Sequence, residues 1–317
     1  MINVGVVGAG YWGKNLVKTF YEMGCLAAVV EIDPELANKV KSQFPEIPVY
    51  PDYDQLLEST ISAVVIATPA HTHAALAEKA LLAGKDVFVE KPITLSVNEA
   101  ERLHEIAETN NRILMVGHML VYQPAIRFVK EFIDSGRIGT LYSLHQTRLK
   151  LGKVRTIENV LWSLGVHDIA VCLYLINRGN PNVAINGHKV LQRSIDDDIY
   201  LHLQFDNIHA HLHTSWLWPK QERRLVLIGS EGSLVYDELD QTVTFHRNYI
   251  DANLKEVMQG SELIFRGEAE PLKLECHHFI TCIQERKRPL TDGAQGIAVI
   301  QIIEQAINLL NKGDWNE

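Results

Sequence analysis

The run Gly8-Ala9-Gly10-Tyr11-Trp12-Gly13 restricts the fold more than any other feature, because of what flanks it. Ile2 to Val7 is almost unbroken apolar sequence, and Trp12 to Met23 has helical spacing closed by Gly24. Strand, tight turn and helix therefore follow in order. Glycines in such a turn let the backbone approach a pyrophosphate, and the helix amino terminus adds N–H donors and partial positive charge. Gly8, Gly10 and Gly13, with Tyr11 and Trp12 between them, are the candidates for that bed. A second apolar run, Leu26 to Val30, ends at Glu31 and Asp33, eighteen and twenty residues after Gly13. At that distance a carboxylate can grip the adenosine ribose hydroxyls of a dinucleotide. The extra phosphate of NADP needs an Arg or Lys just after the strand. Pro34 and Glu35 stand there instead, so NAD is favoured, with Lys39 and Lys41 keeping NADP open.

Strands and helices alternate through the first third. Helical sequence over 33–44, a broken connection over 45–51 and a short helix near 55–58 lead to a buried strand over 63–67, which ends at Thr68-Pro69-Ala70-His71-Thr72-His73. A helix over 74–83 stops at Gly84, a strand over 86–90 delivers Glu90-Lys91-Pro92, a helix spans 96–110, and a strand over 113–117 delivers His118. This is a doubly wound pattern, whose ligands lie beyond the carboxyl ends of the strands. Thr68, His73, Lys91 and His118 occupy such ends. After Val121 come helices over 123–135 and 165–177 and strands over 141–149, 183–191, 198–205, 208–216, 224–228, 233–236 and 242–246. Short turns such as Asp206-Asn207 make this second sheet mostly antiparallel. Helices over 274–285 and 294–311 finish the chain. The expected fold class is α/β: a Rossmann doubly wound parallel sheet over 1–120, then an α/β domain on an open, mostly antiparallel sheet over 121–317. The last helix is free to pack back on the first domain.

Composition sets the remaining limits. With 317 residues, 46% of them hydrophobic, the chain can bury at least one large core. Thirty basic against 39 acidic residues give a net charge of −9, so nucleic acid is not an expected partner. The amino terminus enters a strand without a charged-then-apolar leader, and no apolar run approaches a membrane span. A cytoplasmic location away from membranes is expected. Cys25, Cys172, Cys276 and Cys282 form no CxxC pair and are expected to be reduced and structural.

The amino-terminal GxGxxG, the strand-end Glu90-Lys91-Pro92, the later Gly165-Val166-His167-Asp168 and the closing Arg288-Pro289-Leu290-Thr291-Asp292-Gly293 together resemble the glucose–fructose oxidoreductase / inositol dehydrogenase / MocA family. The likeness spans nearly the whole chain. It implies a nucleotide-binding domain followed by an open-sheet domain that binds a sugar or polyol and often mediates oligomerisation. It further implies that Glu90 belongs to the cofactor site, that Lys91 contacts nicotinamide ribose and substrate, and that His167 transfers the proton. The chain departs from the pattern at Ser163, where members commonly carry an aspartate four residues before the histidine. That departure puts the usual Asp/His relay in question. Leu151-Gly152-Lys153-Val154-Arg155 and Glu158-Asn159-Val160-Leu161-Trp162-Ser163 look like the sugar-nucleotide-processing members and imply a nucleotide-linked hexose or hexuronic acid.

The residue types suit carbinol oxidation, in which a hydride leaves carbon while a base removes the hydroxyl proton. An ammonium such as Lys91 stabilises the developing alkoxide, and an imidazole such as His167 can take the proton. The weaker alternatives are a surface lysine for Lys91 and a capping or core histidine for His167. His118, Tyr122, Arg148, Arg155, Asn159, Trp162, Ser163, His167 and Asp168 are the candidate substrate wall, the arginines suiting anionic groups. His209, His211 and His213 share one strand face. Residues two apart there lie about 7 Å from each other, so a sheet face, and a subunit contact rather than a metal site, is expected. Two other readings stay open: an oxidoreductase of a free polyol or monosaccharide, and a dinucleotide-sensing protein without catalysis. A homodimer or homotetramer is expected, because a broad open sheet needs covering.

Overall fold

The computed structural model describes residues 2–268 and 270–312. Their contacts divide them into two compact units: residues 2–119 with 270–300, and 120–268 with 301–312. The first unit thus recovers a carboxyl-terminal segment that the sequence reading assigned to the second domain, and the division falls inside the last helix.

In the first unit, strands β1 (Val4–Val7), β2 (Leu26–Val30), β3 (Val49–Tyr50), β4 (Ala63–Ile66), β5 (Asp86–Glu90) and β6 (Leu114–Gly117) alternate with helices α1 (Gly13–Glu22), α2 (Pro34–Gln43), α3 (Tyr53–Glu58), α4 (His73–Leu82) and α5 (Val97–Thr109). The sheet is parallel in the order β3-β2-β1-β4-β5-β6. Every residue of β1, β4, β5 and β6 is buried, as parallel strands covered on both faces require. The returning segment contributes α8 (Pro271–Glu285) and the first part of α9 (Gly293–Lys312). Phe279 of α8 packs edge-on against Phe88 of β5 at 5.7 Å between ring centroids. Arg286 forks onto Asp86 at 3.0 and 2.9 Å, and Thr291 exchanges two 2.7 Å bonds with the backbone of Val116.

The second unit carries α6 (Pro124–Asp134), β7 (Leu141–Leu151), α7 (Val166–Ile176), β8 (Asn182–His188), β9 (Asp198–Phe205), β10 (Ile208–Ser215), β11 (Leu217–Gly229), β12 (Gly232–Asp237), β13 (Thr242–His246), the hairpin β14 (Tyr249–Ile250) with β15 (Glu256–Val257), and β16 (Ser261–Arg266). Eight strands form one sheet in the order β16-β13-β12-β11-β7-β10-β9-β8. Only β7 and β10 pair parallel, because α7 and two further strands intervene between them. Along β9 and β10 buried residues alternate with more exposed ones, so one face is core. Phe128 and Phe132 of α6 meet Phe265 and Phe245 across that face, each pair 5.0 Å apart.

Candidate functional site

The three glycines of the first loop do three different things. Gly8 has φ of +91°, a conformation that side chains rarely adopt. A Cβ on Gly13 would collide with the carbonyl oxygen of Gly8, so this glycine lets α1 start against the strand end. A Cβ on Gly10 would meet nothing within 4 Å; the backbone there borders open space. Tight turn, open approach and close helix packing are what a pyrophosphate-binding loop needs, and the residues present fit a dinucleotide. No side chain caps the amino terminus of α1.

Five adjacent strand ends carry the polar groups. Beyond β2, Glu31 is buried; its Oε2 accepts from Ala9 N at 2.7 Å and its Oε1 from Asp33 N at 2.9 Å. Asp33, expected to help hold ribose, caps α2, its Oδ1 accepting from Glu35 N and Leu36 N. Between them Ile32 is 83% exposed, an apolar surface beside two carboxylates that the sequence reading passed over. Beyond β4, Thr68 Oγ1 bonds Thr72 Oγ1 at 2.6 Å. Beyond β5, Glu90 Oε1 accepts from Trp12 Nε1 at 2.6 Å, and Glu90 Oε2 accepts weakly from Lys91 N at 3.3 Å. The motif carboxylate thereby ties the glycine loop to the strand that delivers the lysine.

Two histidines flank Lys91. His73 is buried, with Nδ1 2.8 Å from Pro92 O and Nε2 2.8 Å from Thr68 O. Both partners are acceptors, and a neutral ring can donate to only one. Burial and the Lys91 charge nevertheless keep its pKa below the ordinary value. His73, expected to border the cofactor, ties the ends of β4 and β5 together. His118, beyond β6, is buried with Nδ1 unbonded. Burial, helped by Lys91, pushes its pKa down to about 3, so the ring is neutral at physiological pH. Tyr11 is 85% exposed, with the Lys14 ammonium 5.6 Å from its ring centre.

In the second unit a π turn, Leu161–Gly165, leads into α7, whose second residue is the half-buried His167. Asn159 Oδ1 accepts from Trp162 N at 3.2 Å and steadies the entry to that turn. Ser163 is buried. The other candidates for the substrate wall are placed as follows. Arg148 is buried and its guanidinium is occupied internally, Nε donating to Asp168 Oδ1 at 2.8 Å and Nη2 to Glu238 Oε2 at 2.9 Å. Asp168 also accepts from Gln146 Nε2 at 2.7 Å, and Arg223 joins Glu238 at 2.8 Å. Burial pushes the Asp168 carboxyl up, while Glu238, although buried, is held low by Arg148 and Arg223. Arg148 and Asp168 therefore pair internally at the start of α7. Tyr122 is buried, and the partly exposed Arg155 pairs loosely with Glu158 at 3.5 Å. Gln146, Arg223 and Glu238 gave no sequence signal, since they meet only when three strands and a helix are assembled.

The imidazoles of the open sheet face are closer than one strand implies. Register sets His145 of β7 and His202 of β9 on either side of His211, with His202 Nδ1 2.7 Å from His211 Nδ1 and the His145 and His211 rings stacked at 4.9 Å. Among the described residues, no group of three or more His, Cys, Asp or Glu is disposed to hold a metal, and no helix is long and apolar enough to cross a membrane. All four cysteines are free thiols.

A glycine-rich turn of this shape on a parallel sheet, with a lysine at the end of another strand of the same sheet, defines an NAD-binding oxidoreductase unit. Residues 2–118 match the oxidoreductase family with an NAD-binding Rossmann fold, and residues 126–235 match the GFO/IDH/MocA carboxyl-terminal domain. The chain belongs to the GFO/IDH/MocA family. It is 26% identical over 303 residues to UDP-N-acetylglucosamine 3-dehydrogenase of Acidithiobacillus ferrooxidans, covering 94% of each chain. It is 27% identical over 277 residues to scyllo-inositol 2-dehydrogenase (NAD(+)) of Bacillus subtilis, covering 82% of this chain and 79% of that one. A solved structure of the Acidithiobacillus enzyme superposes with a TM-score of 0.87 at 25% identity over 98% of both chains.

Proposed function

We propose that this NAD-dependent oxidoreductase acts on a secondary alcohol of a sugar, and that the sugar is a nucleotide-linked hexose or hexuronic acid. The observation that carries the reading is the Glu90–Trp12 bond, which couples the loop suited to a pyrophosphate to the strand end that bears Lys91. End-to-end similarity to a UDP-sugar dehydrogenase supports the choice of sugar. Bound NAD supplies the hydride acceptor. The chain's own groups do the rest. Backbone N–H groups around Gly8, Gly10 and Gly13 hold pyrophosphate, Glu31 accepts from ribose hydroxyls, and Ile32 offers apolar surface to adenine. The Lys91 ammonium stabilises the alkoxide as the C–H bond breaks, and His167 takes the hydroxyl proton. Copies of the chain associate as a homodimer or homotetramer through the open sheet face.

The test is initial-rate turnover with NAD or NADP against UDP-linked hexoses, UDP-linked hexuronic acids, free monosaccharides and inositols. Reduction of NAD by a UDP-sugar at a kcat/KM well above that for any free polyol is expected. Similarity to scyllo-inositol 2-dehydrogenase favours the second reading, a free polyol substrate, and the opposite ratio would establish it. NAD binding without reduction by any member of the panel would support a dinucleotide-sensing role instead.

A further inference from the structure

Glu275 has no part in the reaction just described, yet its environment is extreme. It is fully buried on α8, and among the described residues neither carboxylate oxygen has a hydrogen-bond partner. An isolated ionised carboxylate in that position is very costly, so the group is neutral unless a cation answers it. Register identifies what lies opposite. Glu275 and Phe279 are one helical turn apart on the same face of α8, and Phe88 and Glu90 are two apart on the same face of β5. With Phe279 edge-on to Phe88 at 5.7 Å and Arg286 at the end of α8 on Asp86 at the start of β5, the helix runs antiparallel to the strand and sets Glu275 against Glu90, whose charge acts on it.

Among the described residues, no cation acts on Glu275. On β5, Lys91 acts on Glu90, while Asp86 lies at the other end of the strand and is answered by Arg286. On α1, packed against α8, Lys14, Lys18 and Glu22 are exposed. The α9 segment in this unit, Gly293–Ile300, has no charged side chain, and beside Glu275 on α8 stands the buried thiol of Cys276. Glu90 has Trp12 Nε1 and Lys91 N as donors; Glu275 has none. Burial, reinforced by the Glu90 charge, raises the Glu275 carboxyl well above the usual range, and burial also raises Glu90.

We infer that Glu275 is a positioning residue for Lys91: it carries the proton of a two-carboxyl pair with Glu90, so that one negative charge rather than two stands behind the lysine. The division of labour follows from the donors. The anion resides on Glu90, where two N–H groups and the Lys91 ammonium receive it, and the proton on Glu275, where nothing does. The link to catalysis rests on the reading of Lys91 given above; the protonation of Glu275 does not.

Two measurements need no substrate. A carboxyl that keeps its proton when folded and releases it when unfolded stabilises the fold at acid pH, and that contribution is lost as pH rises. Glu275→Gln has no such proton. Its melting temperature minus that of the wild type should therefore rise steadily from about pH 5 to about pH 8. Glu275→Met, unbranched and uncharged, should give the same trend should the glutamine variant not fold. Infrared spectroscopy of the wild type near neutral pH should show the C=O stretch of a protonated, buried carboxylic acid, absent from Glu275→Gln and retained in Glu90→Gln. A flat or falling melting-point difference, no such band in the wild type, or a band that survives Glu275→Gln would overturn the assignment. The third measurement is the kcat/KM–pH profile. When the wild-type pair loses its last proton at basic pH, the second negative charge holds Lys91 protonated, which Glu275→Gln cannot do. Its basic limb should lie at lower pH, whereas a merely structural defect lowers the whole curve without moving the limb. Wild-type protein lacking NAD-dependent turnover would instead refute the catalytic reading, leaving the first two results to decide the fate of the pair.

Discussion

Glu31 serves the fold and the proposed ligand with the same two oxygens. One fixes Ala9 N in the glycine loop and the other fixes Asp33 N, yet each carboxylate oxygen can accept a second bond. Glu31→Ala should weaken NAD binding by about 1 to 3 kcal/mol, as expected when bonds to an ionised acceptor are lost. Unchanged affinity by calorimetry would remove it from the ribose site. Asp33 needs a different expectation from the one its sequence position suggests, because it caps α2. Glu31→Ser with Asp33→Arg should shift preference towards NADP while losing roughly 0.5 to 2 kcal/mol of stability with the cap. Lys91→Ala and His167→Ala should each lower turnover by roughly 10² to 10⁴ and leave the NAD dissociation constant within a few fold, since proton-transfer groups act mainly in the transition state. Ser163→Asp should raise the pKa of His167 and move the acid limb of the pH–rate profile upward. A limb that stays in place in both Ser163→Asp and His167→Asn would show that another group titrates. The glycine loop and the strand-end lysine were legible because each is defined within a few residues of sequence. The Arg148–Asp168–Glu238 cluster was not: its partners lie 20 and 90 residues from Arg148, on a helix and just beyond a strand, and nothing local distinguishes a buried arginine from a ligand-facing one.

Helix α1 and strand β7 show how much an element depends on one contact. A Cβ at Gly13 meets the Gly8 backbone, which cannot yield without reshaping the turn; one at Gly10 meets nothing. Gly13→Ala should therefore lower the melting temperature and abolish NAD binding together. Gly10→Ala should melt as the wild type does and lose only binding. Equal melting losses in both would show that the loop is not shaped around a ligand. On β7, truncating Arg148 leaves Asp168 and Glu238 buried together without their shared cation, so Arg148→Ala should cost about 3 to 5 kcal/mol in denaturant unfolding. A loss below about 1 kcal/mol would mean that water reaches the carboxylates. Element legibility tracked burial. The fully buried strands of the parallel sheet have apolar centres, and β5, β9 and β13 fall on their expected limits. The two-residue β3 lies in the expected broken connection. The stretch of β11 from Pro219 to Glu222 is exposed and carries no apolar alternation, β14 and β15 are each half exposed, and β16 is mostly exposed. Beyond His188 the expected β8 stops, and Leu191 is exposed rather than paired.

At the scale of the whole molecule, the uncovered face of the eight-stranded sheet sets the expected assembly. Tyr200, His202, His209, His211, His213, His145, Val226, Ile228 and Leu263 share it by register, and Tyr200, Ile228 and Leu263 are 39%, 39% and 50% exposed. A patch with apolar side chains around a cluster of imidazoles suits a second copy of the same surface. Its chemistry also dictates how the association should respond to pH. Burial lowers the pKa of His145, and burial with the neighbouring imidazoles His145, His202 and His209 lowers that of His211, so near neutral pH these rings are uncharged. Covering the face desolvates them further and lowers the values again. Protons therefore bind the separated chains better than the assembly, and acid should drive dissociation by linkage. Light scattering on a sizing column should give a dimer or tetramer at about pH 8 and a smaller species at about pH 5, with far-UV circular dichroism unchanged. Tyr200→Glu, which adds a buried charge to the contact and disturbs the ring stacked on His213 at 3.9 Å, should dissociate the assembly even at the higher pH. An unchanged mass in both experiments would place the contact on another surface and leave the imidazole cluster exposed to solvent in the assembled protein.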